Sequence, residues 1–301
     1  MTDAPSLTLD EGVELGYALV LRVAADAGVR ALPIKGPVLS RQGLRAHRSS
    51  ADVDVLVDPA GLPRVQAALE AIGWHDDGFY DTPGIVPWHS VNHRHPQWPC
   101  EVDLHHWFPG FLADPGVVFD VLWARRTTVE LAARSIDAPD VVAHAAIIAL
   151  HHLRDGHDTY KQGLLVDLAA VVAGWTDDRR DDLARLAAAT GASHALAPFL
   201  QQVGVPVLAA TVPLAIPTRD WDLRSQTHTT EVFPWLVGLS RTPWHRRPAF
   251  VWQAWRTGDQ AVRRAGESDR RAVAAARRAR LRRAARAMPD AVREYRRLRR
   301  G

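Results

Sequence analysis

Residues 34–57, IKGPVLSRQGLRAHRSSADVDVLV, decide which fold this chain can adopt. A short apolar run ends in Lys-Gly, an arginine-rich segment follows, and Asp52 and Asp54 then stand inside a β-branched run. Residues two apart on a strand point to the same side, so both carboxylates project from one face. Like charges side by side repel unless a cation lies between them. The pair is therefore either a solvated strand face or part of a cation site.

A third acid follows the same alternation in CEVDLHHW, residues 100–107, where Glu101 and Asp103 share one face. If the two strands are neighbours in a sheet, the carboxylates of Asp52, Asp54 and Asp103 converge. Oxygen ligands suit hard cations, and two-metal sites hold their ions about 3.5–4 Å apart to clamp an in-line phosphoryl displacement. The pattern favours a site for two magnesium ions, and replacing one acid is expected to relieve repulsion and preserve stability without metal.

Histidines support a competing interpretation, because ten of the 14 lie between His75 and His157. Imidazole suits zinc and iron, but these histidines lack the H-E-x-x-H spacing that places a zinc site on one helix. We expect His105, on the face of Asp103, to lie near the site, and His151 and His152, on an apolar helix, to pack or form hydrogen bonds.

Hydrophobic periodicity predicts a chain that is mixed α/β to about residue 110 and mainly helical afterwards. Helical spacing covers residues 9–27 and 61–74, and the runs from residue 140 onward are helical across short polar breaks. Strands are predicted at 29–34, 52–57 and 100–108, with weaker extended runs at 74–80 and 88–95.

Asp167 stands in the apolar helix KQGLLVDLAAVV, which begins at Lys161. An unpaired carboxylate in an apolar setting is costly. Either Asp167 forms a buried pair with an arginine, or this helix closes over a bound nucleotide.

A length of 301 residues indicates about two domains. A hydrophobic content of 47% is sufficient for a sizeable core. The single cysteine, Cys100, excludes an intramolecular disulfide and fits a reducing compartment. The first residues are acidic rather than signal-like, and no apolar stretch is long enough to span a bilayer. A soluble, cytoplasmic protein is expected.

The C-terminal segment is strongly basic. Residues 263–300 hold 15 arginines against four acids, whereas the rest of the chain holds 22 basic and 30 acidic residues. The Ala/Arg-rich run is predicted to be a helix capped by Ser268, with Pro289 starting a second helix. The segment either docks on the acidic body or binds nucleic-acid phosphates or an anionic membrane.

Several motifs together resemble the uncharacterised nucleotidyltransferase-like proteins of the DNA polymerase beta-like nucleotidyltransferase superfamily. The resemblance covers roughly residues 10–175. The matching residues are Lys35-Gly36, Arg48, Asp52-Val53-Asp54 and Val102-Asp103-Leu104-His105. One departure is Gly36-Pro37, where better-known members carry Gly-Ser.

The resemblance implies an α+β fold, with a nucleotidyltransferase-like mixed sheet, flanking helices and a mainly helical C-terminal half. The expected division is a nucleotidyltransferase-like domain at 1–135, a helical domain at 136–260 and an arginine-rich helical tail at 261–301. The acceptor is not specified by these motifs.

The implied reaction is magnesium-dependent nucleotidyl transfer from a nucleoside triphosphate to an acceptor hydroxyl. Asp52, Asp54 and Asp103 are the implied catalytic residues and the ligands of two Mg²⁺ ions. The implied nucleotide-binding residues are Lys35, Gly36, Ser40 and Arg48. The alternative is a non-catalytic module of the same fold that binds nucleotide, or binds nucleic acid through its basic tail.

Overall fold

A computed structural model of the chain describes residues 7–76, 89–155, 158–226, 233–252 and 270–300. The chain divides into two compact units. The first comprises residues 1–79 and 89–221, and the second comprises residues 80–88 and 222–301. The domain boundaries predicted after residues 135 and 260 stay predictions.

The first unit contains a mixed five-stranded sheet in the order β1-β2-β5-β4-β3. Its strands are β1 (Ala31–Pro33), β2 (Asp52–Val57), β3 (His75–Asp76), β4 (Ser90–Arg94) and β5 (Glu101–His105). β2 and β5 are parallel, and the other neighbouring pairs are antiparallel. The α+β prediction is confirmed, and the strand at residues 52–57 has its predicted limits. The part of the weak run at 74–80 beyond residue 76 lies outside the described residues.

The helices of the first unit flank this sheet and continue beyond it. They are α1 (Leu9–Asp26), α2 (Gly36–Arg41), α3 (Leu62–Ala71), α4 (Pro115–Ala124), α5 (Val141–Leu153), α6 (Thr159–Ala173), α7 (Asp177–Ala189) and α8 (Ser193–Gln202). α1 begins at the predicted residue because Thr8 and Glu11 form a reciprocal capping box. The predicted helical character from residue 140 onward is confirmed.

The core beside the sheet is built on α1 and α3. Tyr17 and Val20 of α1 and Val65 of α3 are fully buried with Val53 and Val102 of the central strands. The valines of β2 and β5 thus face these helices, and their acids take the opposite face. This division satisfies the period-two alternation that the sequence displays.

The mainly helical part of the chain after residue 110 also contains a hairpin that the sequence did not predict. β6 (Arg126–Leu131) and β7 (Arg134–Pro139) form an antiparallel hairpin. Its turn residues, Ala132 and Ala133, have φ of 49° and 55°. Turns of this kind usually contain Asn or Gly. Because alanines occupy both positions here, the sequence lacks the usual signal for a hairpin.

The second unit contains helices joined by a small core. α9 (Thr218–Gln226) spans the boundary, and α10 (Phe233–Arg241) and α11 (Arg270–Arg300) follow it. Val237 of α10 and Ala291 of α11 are buried, and Leu223, Leu236 and Tyr295 pack around them.

The predicted break at Pro289 is wrong, because α11 continues through this residue. Ala291 and Tyr295, beyond the proline, pack against α10. These contacts keep the helix continuous although proline removes one of its hydrogen bonds. The predicted cap Ser268 lies outside the described residues. Among helices in the described ranges, none combines the length and apolarity that crossing a bilayer requires.

Gly16 of α1 marks a close approach between helix and sheet. A Cβ there would lie 2.7 Å from Val53 Cγ2, whereas a Cβ at Gly163 of α6 would meet nothing within 4 Å. We expect Gly16→Leu to lower the free energy of unfolding by at least about 2 kcal/mol, because overpacking forces backbone shifts. Gly163→Leu is the control and should stabilise by about 0.5–1 kcal/mol through helix propensity. Urea unfolding measures both, and equal effects would contradict the packing.

Candidate active site

The candidate site is organised by a strained turn at the end of β1. Lys35 and Gly36 both have positive φ, 63° and 55°. Ile34, just before them, donates its N–H to the carbonyl of Asp54 at 2.9 Å. The turn is thereby attached to β2 at the residue that carries the buried carboxylate. A left-handed lysine is uncommon and persists only where its surroundings enforce it.

Tyr17 stabilises this turn through two hydrogen bonds of its side chain. Its buried hydroxyl donates to Ile34 O at 3.0 Å and accepts from Asp54 N–H at 3.1 Å. Burial, together with the negative charge of Asp54, raises the pKa of Tyr17 well above its ordinary value, so the hydroxyl keeps its proton. A Cβ on Gly36 would lie 2.5 Å from the same hydroxyl. Glycine is therefore required by both space and conformation.

His144 of α5 stabilises the same turn through the backbone of Lys35. Its Nε2 accepts the Lys35 N–H at 2.9 Å. Its Nδ1 therefore carries the proton and donates to Gln42 Oε1 at 2.8 Å, and Gln42 Nε2 donates to Pro139 O at 2.7 Å. Burial and then Arg45 lower the pKa of His144 to about 3. The ring stays neutral near pH 7, as an acceptor must.

The parallel register of β2 and β5 brings the acids together. Asp54 pairs with Asp103, and Asp52 pairs with Glu101. Each strand contributes these acids to the same face of the sheet, as the alternation predicts. The structure therefore places Asp54 and Asp103, which are far apart in sequence, side by side.

Two basic side chains compensate the paired acids. Lys35 Nζ lies 2.5 Å from Asp54 Oδ1 and 5.7 Å from the ring centroid of Phe108. His105 Nε2 lies 2.9 Å from Asp54 Oδ1 and 3.0 Å from Asp103 Oδ2. Because carboxylates only accept hydrogen bonds, this Nε2 donates its proton between them. The nearness of His105 agrees with its expected place beside the site.

These contacts shift the titration of the cluster. Burial alone would raise the pKa of Asp54, but Lys35 and His105 hold that pKa well below its usual range. Burial is likewise outweighed at Asp103, where His105 lowers the pKa. Burial also opposes protonation of His105, yet Asp103 and Asp54 together raise its pKa above the ordinary value. The cluster therefore holds ionised acids beside positive charge.

The expected third acid lies at the edge of this cluster. Asp54, Asp103 and His105 each offer a ligand atom within 4.8 Å of the others, and among the described residues this group does not include Asp52. Asp52 is exposed at the start of β2, two residues before Asp54. Its role as a metal ligand stays a prediction.

The residues expected to hold a nucleotide have different surroundings. The Ser40 hydroxyl donates to Pro37 O at 2.8 Å, within its own helix. Arg48 is exposed and donates to Tyr160 Oη at 3.0 Å. Lys35 and Gly36 form the turn at the acidic pair. Lys35 is thus the member of this set that contacts an acid of the cluster.

A divalent cation fits the acidic pair. Both ligand candidates supply carboxylate oxygens, the donors that Mg²⁺ prefers. Within the described part of the chain, Asp103 Oδ1 is buried without a hydrogen-bond partner. Buried polar atoms are normally satisfied, so an unused carboxylate oxygen is consistent with a ligand position.

Asp167, for which sequence offered two interpretations, is exposed on α6. Across the described ranges no ion pair joins it to a basic residue, so the buried arginine pair is wrong. Lys161 pairs with Asp155 instead. Asp167 lines a cleft together with Arg45 and Arg48. Tyr17 and His144 were not predicted as site residues, because their partners Asp54 and Lys35 lie far away in sequence. Arg45 was not predicted either, although its partner Gly36 is only nine residues away.

Asp52 generates a pH-dependent prediction for the metal-free protein. The carboxylate of Asp52 is partly desolvated although the residue as a whole is exposed, and this desolvation, with the charges of Asp54, Glu101 and Asp103, raises the pKa of Asp52 to about 6. The folded state therefore binds this proton more tightly than the unfolded state, so stability is lost as pH rises from about 4 to 6. Asp52→Asn should stabilise by about 1 kcal/mol at pH 8, allowing for solvent screening, and by nothing below pH 4. Urea unfolding at both pH values tests this, and a pH-independent gain would contradict it.

The chain is similar to several solved structures and matches one family model. No curated protein matches the chain. Similar solved structures include a lincosamide antibiotic adenylyltransferase, LnuA, bound to lincomycin (18% identity, 55% of this chain and 98% of that chain, TM-score 0.35). Others are the antibiotic-resistance factor ANT(2'')-Ia (11%, 63% and 89%, TM-score 0.35) and an antigenic nucleotidyltransferase-like protein from Paracoccidioides brasiliensis (11%, 69% and 99%, TM-score 0.38).

These structural similarities are too weak to indicate a substrate. The family model described as uncharacterised nucleotidyltransferase, however, matches residues 15–204, which is more than half of the 301 residues. The match includes the turn, the acidic strands and helices α5 and α6. This chain belongs to that family of nucleotidyltransferases.

Proposed function

We propose that the protein transfers a nucleotidyl group from a nucleoside triphosphate to an acceptor hydroxyl in a magnesium-dependent reaction. The observation that carries this proposal is the in-register pair of Asp54 and Asp103 on parallel strands. The acceptor oxygen forms a bond to the α-phosphorus, the bond from that phosphorus to the bridging oxygen breaks, and pyrophosphate leaves. The hydroxyl proton passes to a carboxylate oxygen of Asp103.

Asp52, Asp54 and Asp103 would hold two Mg²⁺ ions. When bound, such ions neutralise charge on the phosphates and orient the displacement. The free Oδ1 of Asp103 supports its two roles as ligand and proton acceptor.

The phosphate end of the nucleotide is assigned to the turn. The Lys35 ammonium lies at the acidic pair, so positive charge is already present where a phosphate oxygen would arrive. Gly36 lets the backbone approach closely. Arg48, four residues before Asp52, lines the neighbouring cleft, and its contact with a nucleotide phosphate stays a prediction. Ser40 joins this set only if its hydrogen bond to Pro37 O is exchanged for one to phosphate.

Asp103→Asn tests the reaction while leaving the pair between Lys35 and Asp54 intact. We expect pyrophosphate release to fall at least about 100-fold, since groups that merely support metal ligands already account for 10–100-fold. The assay supplies each ribonucleoside triphosphate with Mg²⁺ and a filtered metabolite extract as the acceptor source. Asp26→Asn is the control, because Asp26 forms an exposed ion pair with Arg22 at the end of α1. An Asp103→Asn protein with full activity would end the proposal.

Nucleotide binding by the natural chain without pyrophosphate release would support the non-catalytic alternative. Binding is measured by calorimetry with α,β-methylene-ATP, which resists cleavage at the reacting bond. The substitution Asp54→Asn is less suitable for testing the reaction, although the sequence predicted that replacing one acid would preserve stability. Its neighbours Lys35 and His105 would lose a buried partner, so we expect lower stability rather than relief of repulsion.

His144 gives a second test, because it fixes the Lys35 backbone without contacting either acid of the pair. His144→Leu removes the acceptor for the Lys35 N–H and should weaken α,β-methylene-ATP binding about 10-fold, the equivalent of one lost hydrogen bond. His144→Gln retains an acceptor and a donor and should restore most of the affinity. Melting curves accompany both variants. Equal affinity of the Leu and Gln variants would show that His144 has only a packing role.

A further inference from the structure

A cleft of about 580 Å³ opens in the first unit between the segment after α2 and helices α5 and α6. Its volume falls within the range of sites for small organic molecules, which is about 300–1,000 Å³. Aliphatic side chains form most of its wall, namely Leu39, Leu44, Ile148, Leu164, Leu168 and Val171.

The polar part of the wall is mainly cationic. Arg45 and Arg48 contribute two guanidinium groups, against the single carboxylate of Asp167. Burial, with Arg48 and other cations, lowers the pKa of His152 to about 4, so this imidazole adds no charge at neutral pH. A ligand with an apolar body and an anionic group therefore complements the cleft, and a polycation does not.

Arg45 connects the cleft to the acidic site. Its guanidinium donates to Gly36 O at 2.8 Å, and Gly36 is the second residue of the strained turn. Arg45 Nε is buried and lacks a partner among the described residues. The same side chain thus lines the cleft and touches the proposed phosphate site.

We propose that this cleft binds the acceptor, and that the acceptor is a small molecule with an apolar body and a carboxylate or phosphate group. This inference rests on the proposed nucleotidyl transfer. A nucleobase fits less well, because its polar edges would be buried against the aliphatic side chains that form most of this wall. A cleft of this volume would hold at most a terminal unit of a polymer, whereas it can enclose most of a small molecule.

Three probes that share one body test the ligand class: 4-phenylbutyrate, 4-phenylbutanol and 4-phenylbutylamine. We expect 4-phenylbutyrate to bind at least about 10-fold more tightly than the amine in ligand-observed NMR titrations, because the arginines attract its carboxylate. Absence of binding, or affinity that does not depend on the charged group, would overturn the proposal.

Ala46→Trp tests the location, because Ala46 is exposed and lines the cleft. The indole should block 4-phenylbutyrate and leave α,β-methylene-ATP affinity unchanged. Ala170→Trp is the matched control, since Ala170 is an exposed residue of α6 outside the lining, and it should affect neither ligand. Loss of nucleotide binding in Ala46→Trp, with competition between the two ligands, would identify a nucleotide cleft and overturn the proposal.

The same titrations separate this inference from the proposed function. Charge-selective probe binding by a protein that releases no pyrophosphate with any triphosphate would overturn the acceptor role and retain the ligand class. Pyrophosphate release combined with no probe binding would retain the reaction and place the acceptor elsewhere.

Discussion

The left-handed turn at Lys35 and Gly36 is the constraint on which the site depends. A helix beside the sheet, a strand carrying the acids and a distant helix each supply a group that holds it, through Tyr17, Asp54 and His144. The turn directs the lysine ammonium at the acidic pair. The strained backbone is stabilised by partners from separate elements. The geometry of the site therefore depends on the correct packing of these elements against one another.

Much of the acidic centre could be predicted from local sequence. The alternation in DVDVLV and CEVDLH fixes which side chains share a face, and the strand at residues 52–57 is found where the pattern puts it. The position of His105 follows from the same rule. Period-two patterning is a property of the strand itself, so it survives without knowledge of the rest of the fold.

The supporting contacts could not be predicted, because they join residues remote in the chain. His144 binds the amide of Lys35 across 109 residues, and no local pattern indicates that pairing. The hairpin of β6 and β7 was missed for a different reason, since alanines occupy a turn that normally contains Asn or Gly. Pro289 tends to break a helix, but the packing of Ala291 and Tyr295 beyond it outweighs this tendency. Tertiary contacts commonly override the helix propensity of a single residue in this way.

The spacing of the charged residues also bears on how the chain folds during synthesis. Lys35 precedes Asp54 by 19 residues, whereas His105 follows it by 51. Protein chains emerge from the ribosome with the N-terminal end first, and contacts between distant residues form more slowly than local ones. The lysine is therefore available to neutralise Asp54 before β5 has been made. The contact between Lys35 and Asp54 thus supplies a counterion that does not depend on the later strand β5.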